Sequence, residues 1–327
     1  MGIENIAKII ILTCLVGSAY GQKDKNPGGP AADMSMVKLV GTTIHKPINE
    51  MSGLVKSRTY PDVYWVNNDS GDISRIFAVN KNGNVIMPEY LKQDFYGDIK
   101  EEGKKPFGGI EILLAANQDW EDIAVDDDLI YIADLGNNAN ARRDMGVYML
   151  YEPNPKATVS SRVLQYIPIR YPEQIEYPAR QWHFDSESMF VADGNLYFLS
   201  KHRQPGELSK WEAGVNLYRL DSHNTLKANV LTKVDSFADL SVATGADVSP
   251  NGNHLAVVTY STLWVFEKAG NDQWLSGKAS ELPLDYNVTK QAEAVCWDDD
   301  ETILISNEQR EIFEIKLVDI PGATAHK

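Results

Sequence analysis

Cysteine is nearly missing from this sequence: 327 residues hold two, with six histidines and 31 Lys and Arg against 46 Asp and Glu. Each scarcity excludes something. Cys14 falls in an expected leader, which leaves Cys296 without a partner for an intramolecular disulfide. An exported chain without disulfides needs a sizeable packed core, and 43% hydrophobic residues can build one. Cys296, within Ala294-Val295-Cys296-Trp297, reads as a buried small hydrophobe. The formal charge of −15 repels nucleic acid and anionic membrane surfaces. No Gly-x-Ser-x-Gly elbow is present, which argues against a serine esterase. No run beyond the leader reaches ~18 apolar residues, so no membrane insertion is expected. Helical periodicity is almost absent.

The leader itself is Lys8, the apolar run Ile9 to Val16, and the small-residue stretch Gly17-Ser18-Ala19-Tyr20-Gly21. Residues 1–21 read as a signal peptide cleaved before Gln22, which makes the protein secreted, extracellular or periplasmic. A buried N-terminal strand is the alternative. Leu12-Thr13-Cys14 faintly resembles a lipoprotein signal, with an atypical Thr before the Cys. Residues 22–35 are polar and rich in Gly, Pro and Ala, a disordered lead-in. One domain is expected over 36–320, followed by a flexible tail over 321–327.

What the chain does have is a repeat. Five segments align: Met51-Ser52-Gly53-Leu54-Val55, Trp120-Glu121-Asp122-Ile123-Ala124, Ser186-Glu187-Ser188-Met189-Phe190, Thr244-Gly245-Ala246-Asp247-Val248 and Ala292-Glu293-Ala294-Val295-Cys296. A second and a third β-rich run follow each of them. Fourth strands are expected near Ile110–Ala115, Val163–Ile169, Ala228–Val234 and Ser280–Leu284. The last unit runs out of chain, and residues 36–43 form a spare strand that can complete it. The pattern predicts an all-β, five-bladed β-propeller of four-stranded blades closed by the N-terminal strand, since closure removes open sheet edges. A sixth blade would have to lie in 87–118 or 151–183.

In a propeller the first strand of each blade lines the axis. The column two residues before the motif position reads Glu50, Asp119, Asp185, Ala243, Gln291, and the motif column reads Ser52, Glu121, Glu187, Gly245, Glu293. Offsets of two keep side chains on one side of a strand, ~7 Å apart, so the acids stack around one axis. Close carboxylates need a cation or raised pKa values. Oxygen-only ligation suits calcium, and no His cluster competes for zinc or iron. The expected metal ligands are Glu50, Glu121, Glu187, Asp247 and Glu293; the alternative is a hydrated polar tunnel. Loops leaving the second strands add Asp69, Asp134, Arg142, Lys201, His202, Arg203, Tyr260 and Glu308 as ligand-binding candidates, beside Asp119 and Asp185. His202 could serve as an acid or base, or belong to an ordinary loop.

The ordered series of five motifs, from Met51-Ser52-Gly53-Leu54 to Gln291-Ala292-Glu293-Ala294-Val295, resembles the SdiA-regulated propellers and the related esterase-like phytases over about residues 36–318. The resemblance implies an exported propeller with a metal at its hub. Ser52 and Gly245 depart from the pattern where a motif carboxylate would stand, against a symmetric metal ring. The expected function is an extracellular calcium-binding propeller, monomeric, that binds a small-molecule, carbohydrate or peptide ligand or is structural. Trp182, Trp211 and Trp274 are candidates for sugar stacking, or for the core. The alternative is a metal-assisted hydrolase of phosphate or carboxylic esters, with Lys201, Arg203 or Arg142 holding the anion.

Overall fold

The computed structural model describes residues 34–91 and 106–324. The leader, most of the lead-in and the end of the tail lie outside the described residues. Five sheets form, each built on four antiparallel strands running from hub to rim. Blade one is Met51–Lys56, Tyr64–Asn68, Arg75–Val79 and Ile110–Leu113; blade two is Trp120–Asp126, Leu129–Asp134, Gly146–Tyr151 and Gln165–Arg170. Blade three is Trp182–Ala192, Asn195–Arg203, Val215–Leu220 and Thr232–Phe237, and blade four is Ala243–Val248, His254–Thr259, Thr262–Glu267 and Ala279–Pro283. Blade five is Ala292–Asp299, Thr302–Asn307 and Glu311–Lys316, completed by Lys38–Thr42 from the start of the domain. The innermost strands touch in the cyclic order one to five and back to one.

Sequence pattern tracks distance from the axis. Inner and second strands lie between neighbouring blades, so both faces are buried, as along Met51–Lys56 and Tyr64–Asn68. Rim strands face solvent on one side and alternate, as in Ile110–Leu113 and Ala279–Pro283. The core is accordingly five wedges, one between each pair of adjacent blades. Trp65 and Ile123 pack between blades one and two, Phe190 and Val257 between three and four, and Cys296 with Leu54 between five and one. Asp193 and Gly194, both at positive φ, make the tight turn in the blade-three hairpin.

The spare strand closes the ring as expected, with Lys38 opposite Glu314 and Thr42 opposite Glu311. One expected rim strand divides. Asn229–Val230 adds in parallel to blade two, while Thr232–Phe237 forms the rim of blade three. Ser160–Arg162 likewise adds in parallel to blade one, so 151–183 contributes edges to existing blades rather than a sixth. In the tail, Thr324 donates to Glu267 at 2.6 Å.

Side chains lock blade to blade near the axis. Ser52 Oγ donates to the Glu121 carbonyl at 2.6 Å, and Thr244 Oγ1 to the Ala292 carbonyl at 2.8 Å. Asp122 accepts from Met189 N–H and Asp247 from Trp297 N–H, both at 2.8 Å, which ties blade two to three and four to five. At the far end of the inner strands, Asp298 of blade five meets Lys56 at 2.6 Å, Lys81 at 2.7 Å and the Tyr64 hydroxyl at 2.6 Å, all from blade one.

Candidate metal and ligand site at the hub

Blade three reaches furthest. Its first two strands have 11 and 9 residues, against 6 and 5 in blade one. The extra length carries Asp185, Glu187, Lys201 and Arg203 to the mouth of the hub. Lys201, 1% exposed, forms an ion pair with Glu187, donates to the Tyr260 hydroxyl at 3.5 Å, and lies 4.7 Å from the centre of the Trp211 ring. Arg203 stacks on Trp211 at 3.8 Å, bonds Asp185 at 3.1 Å and also holds Asn138. Burial alone would strip the Lys201 proton, but Glu187 outweighs it and the ammonium is retained above its ordinary value.

Blades one and two supply the acids. Carboxylate oxygens of Asp69, Asp119 and Glu121 lie within 4.8 Å of one another. Their close approach depends on Gly136, where a Cβ would stand 2.1 Å from Asp119 Oδ2 and 2.3 Å from Glu121 Oε1. Burial, then Asp69 and Asp185, push the Asp119 carboxyl up to about 7. Glu121 is pushed well up by burial and by the charges of Asp69, Glu187 and Asp119. Burial also raises Asp69 and Glu187. One oxygen of Glu187 is taken by Lys201; the other, Oε2, is buried and has no hydrogen-bond partner. Three crowded acids and an unpartnered buried carboxylate oxygen are what a hard cation would complete.

Blade five adds a second carboxyl pair. Gln291 Nε2 donates to Glu293 at 2.8 Å and also to Glu308. Burial first, then Asp69, pushes Glu308 up to about 6, and burial with Glu187 pushes Glu293 well up. Blade four brings only Tyr260. The reason lies in Gly245, where a Cβ would stand 2.8 Å from the Glu293 carbonyl oxygen. No side chain fits between these two inner strands, so the acid ring is open on that side.

The expected residues therefore divide. Glu121, Glu187, Glu293, Asp69, Asp119, Asp185, Lys201, Arg203, Tyr260 and Glu308 share one electrostatic neighbourhood. Glu50 is exposed at its edge, with its carbonyl accepting from Asp69 N–H at 3.0 Å. Asp247 is elsewhere: its oxygens take the Val248 and Trp297 amides, and it serves blade packing. Asp134 and Arg142 pair at 2.9 Å, Asp134 accepting the Asp119 amide and Arg142 donating to the Gly136 carbonyl, so both shape the loop that carries the acids. His202 points away from its neighbours Lys201 and Arg203. It bonds Ser200 at 2.7 Å and stacks on His183 at 3.9 Å, and burial lowers it to about 3, so it is neutral. Trp274 is fully buried in the core, whereas Trp182 and Trp211 are half-buried near the hub. Gly136 and Asn138 lie outside the expected set; their signal is the loop Gly136-Asn137-Asn138 directly after a second strand.

Two surface clefts of about 520 and 310 Å³ lie away from the hub, and neither is lined by a hub carboxylate. Among the described residues no helix is long and apolar enough to cross a membrane. No family model matches the chain, and no curated protein matches it. Among solved structures, it is similar to a gluconolactonase from Xanthomonas campestris, at 12% identity and a TM-score of 0.41 over 90% of this chain and 99% of that one. It is also similar to a protein from Thermus thermophilus described as a putative oxidoreductase (glucose dehydrogenase), at 10% identity and a TM-score of 0.45 over 85% of this chain and 99% of that one.

Proposed function

We propose that the hub is a divalent-cation site of the calcium type, on which the protein binds a small oxygen-rich ligand. The observation that carries the reading is the Asp69–Asp119–Glu121 cluster, whose oxygens lie within 4.8 Å, together with the unpartnered Oε2 of Glu187. Oxygen ligands in a flexible, asymmetric set fit calcium better than zinc, which prefers nitrogen and sulfur in a tetrahedron. The leader-like residues 1–21 support export, to compartments where calcium sites of ~0.1–1 mM affinity are filled. The motif series similar to SdiA-regulated propellers supports the same hub-centred reading. Calorimetric titration of chelator-treated protein with calcium, magnesium and zinc tests it. One calcium per chain, lost in Glu121→Gln, is expected; no calcium binding, or zinc preferred over calcium, overturns it.

A second reading, hydrolysis of a carboxylic ester at this cation, is favoured by the Glu293–Gln291–Glu308 arrangement. Burial keeps protons on this pair at higher pH than on ordinary carboxyls, so one member can serve as general acid. Calcium-dependent turnover of p-nitrophenyl acetate, abolished by Glu293→Gln, is the expected outcome. Turnover that ignores chelator would remove this reading.

A further inference from the structure

Glu187 faces two ways. Its Oε1 takes the Lys201 ammonium and lies 4.0 Å from Arg203 Nη2, while its Oε2 is buried with no hydrogen-bond partner. Lys201 reaches this carboxylate from the second strand of the same blade and is 1% exposed. Its Nζ lies 4.7 Å from the centre of the Trp211 ring, 5.3 Å from that of Tyr260 and 3.5 Å from the Tyr260 hydroxyl. A carboxylate with two aromatic rings makes a seat for a cation. Here the occupant is the protein's own ammonium.

That placement has two opposed effects. In the metal-free protein the oxygens of Asp69, Asp119 and Glu121 crowd together. Lys201 is attracted by Glu187, Asp185 and Glu293 at once, so it offsets acid charge that no divalent ion yet offsets. A divalent ion held by the three acids and by Glu187 Oε2 would share one carboxylate with Lys201. Like charges on the two oxygens of a single carboxylate repel, and burial leaves that repulsion weakly screened. The ammonium therefore steadies the empty hub and weakens the filled one. We propose that Lys201 is a built-in counter-ion, which stands in for the metal when the hub is empty and holds down the affinity for a divalent cation, so that the ion exchanges with solvent. The proposal rests on the cation reading above and adds what regulates that site.

The test removes the ammonium in two backgrounds, the parent and Glu187→Gln, and follows calcium binding by calorimetry and thermal melting in chelator. In the parent background Lys201→Met should lower the melting temperature of the metal-free protein and yet tighten calcium binding at least about tenfold. A residue that only supports the fold would loosen both, so the opposite signs are the signature of a counter-ion. Lys201→Met alone leaves Glu187 buried without its partner and can fail to fold. The double variant removes both charges and avoids that cost; it should bind calcium at least about fivefold more tightly than Glu187→Gln alone. Calcium affinity unchanged or weakened by loss of the ammonium, in either background, overturns the proposal. Metal-free Lys201→Met protein that melts no lower than the parent overturns the stand-in role. Absence of calcium binding by the parent protein would instead overturn the cation reading itself.

Discussion

Replacing Asp119 by Asn should stabilise the metal-free protein, and more so at about pH 7.5 than at about pH 5.5. The carboxyl of Asp119 is raised from 3.8 to about 7 by burial and by its acidic neighbours. A raised carboxyl means that the folded state holds a proton that the unfolded chain has released. The metal-free protein therefore loses stability as pH rises above the unfolded value, and the loss is complete above the folded one. Linkage over this interval gives ~2 kcal/mol, and partial exposure of Asp119 reduces it to ~1–2 kcal/mol. His202 works in the opposite direction. Its folded value of about 3 lies below the ordinary 6.5, so acidification costs ~1.4 kcal/mol over the same range. The slope of the parent protein alone is thus a sum of opposing contributions. The difference between parent and Asp119→Asn cancels His202 and isolates the carboxyl. Thermal melts in chelator should show an advantage of Asp119→Asn that is larger by ~3 °C at the higher pH. Adding calcium should reverse the order, because the bound ion stabilises the parent by RT ln(1 + [L]/Kd). Equal effects at both pH values in chelator, or no reversal with calcium, would refute the electrostatic account.

Gly136→Ala keeps every carboxylate yet places a methyl 2.1 Å from Asp119 Oδ2, so it should weaken calcium binding at least about tenfold by calorimetry with little change in the circular dichroism spectrum. Asp298→Asn breaks the contacts with Lys56 and Lys81 that join blade five to blade one, and should cost ~1–2 kcal/mol in urea denaturation at neutral pH. The Asp298 carboxyl is held well below its ordinary value despite burial, chiefly by hydrogen bonds from Lys56, Lys81 and Tyr64. Its contribution is present above the unfolded value near ~4 and is lost as pH falls further, so the cost of the substitution should shrink toward zero in acid. Deleting residues 34–43 removes the rim strand of blade five and exposes the edge of Glu311–Lys316, so size-exclusion chromatography should show a shift from the parent's elution position to large aggregates.

The blade count and the closing strand were legible because they are local patterns. Each motif strand is followed by its hairpin partners within a few residues, and burial on both faces removes the buried–exposed alternation from the inner strands. The register of the motif columns also placed Glu121, Glu187 and Glu293 at one hub. Pairings between blades were not legible, because they depend on edges that meet only after folding. Asn229–Val230 and Ser160–Arg162 each leave their own hairpin to extend a neighbour's sheet. Asp247 has the right residue type two positions from the motif, but local bulges in the inner strands shift the pairing. Its oxygens are consumed by Val248 and Trp297 amides, a partnership that no spacing encodes. His202 and Lys201 are both hub candidates by sequence; alternation along the strand sends only one of them there. Above all, charge in the sequence does not say which charges are free. Lys201, Arg203 and Arg142 are cations by composition, and only the folded chain spends each on a carboxylate and leaves Asp69, Asp119 and Glu121 to face one another.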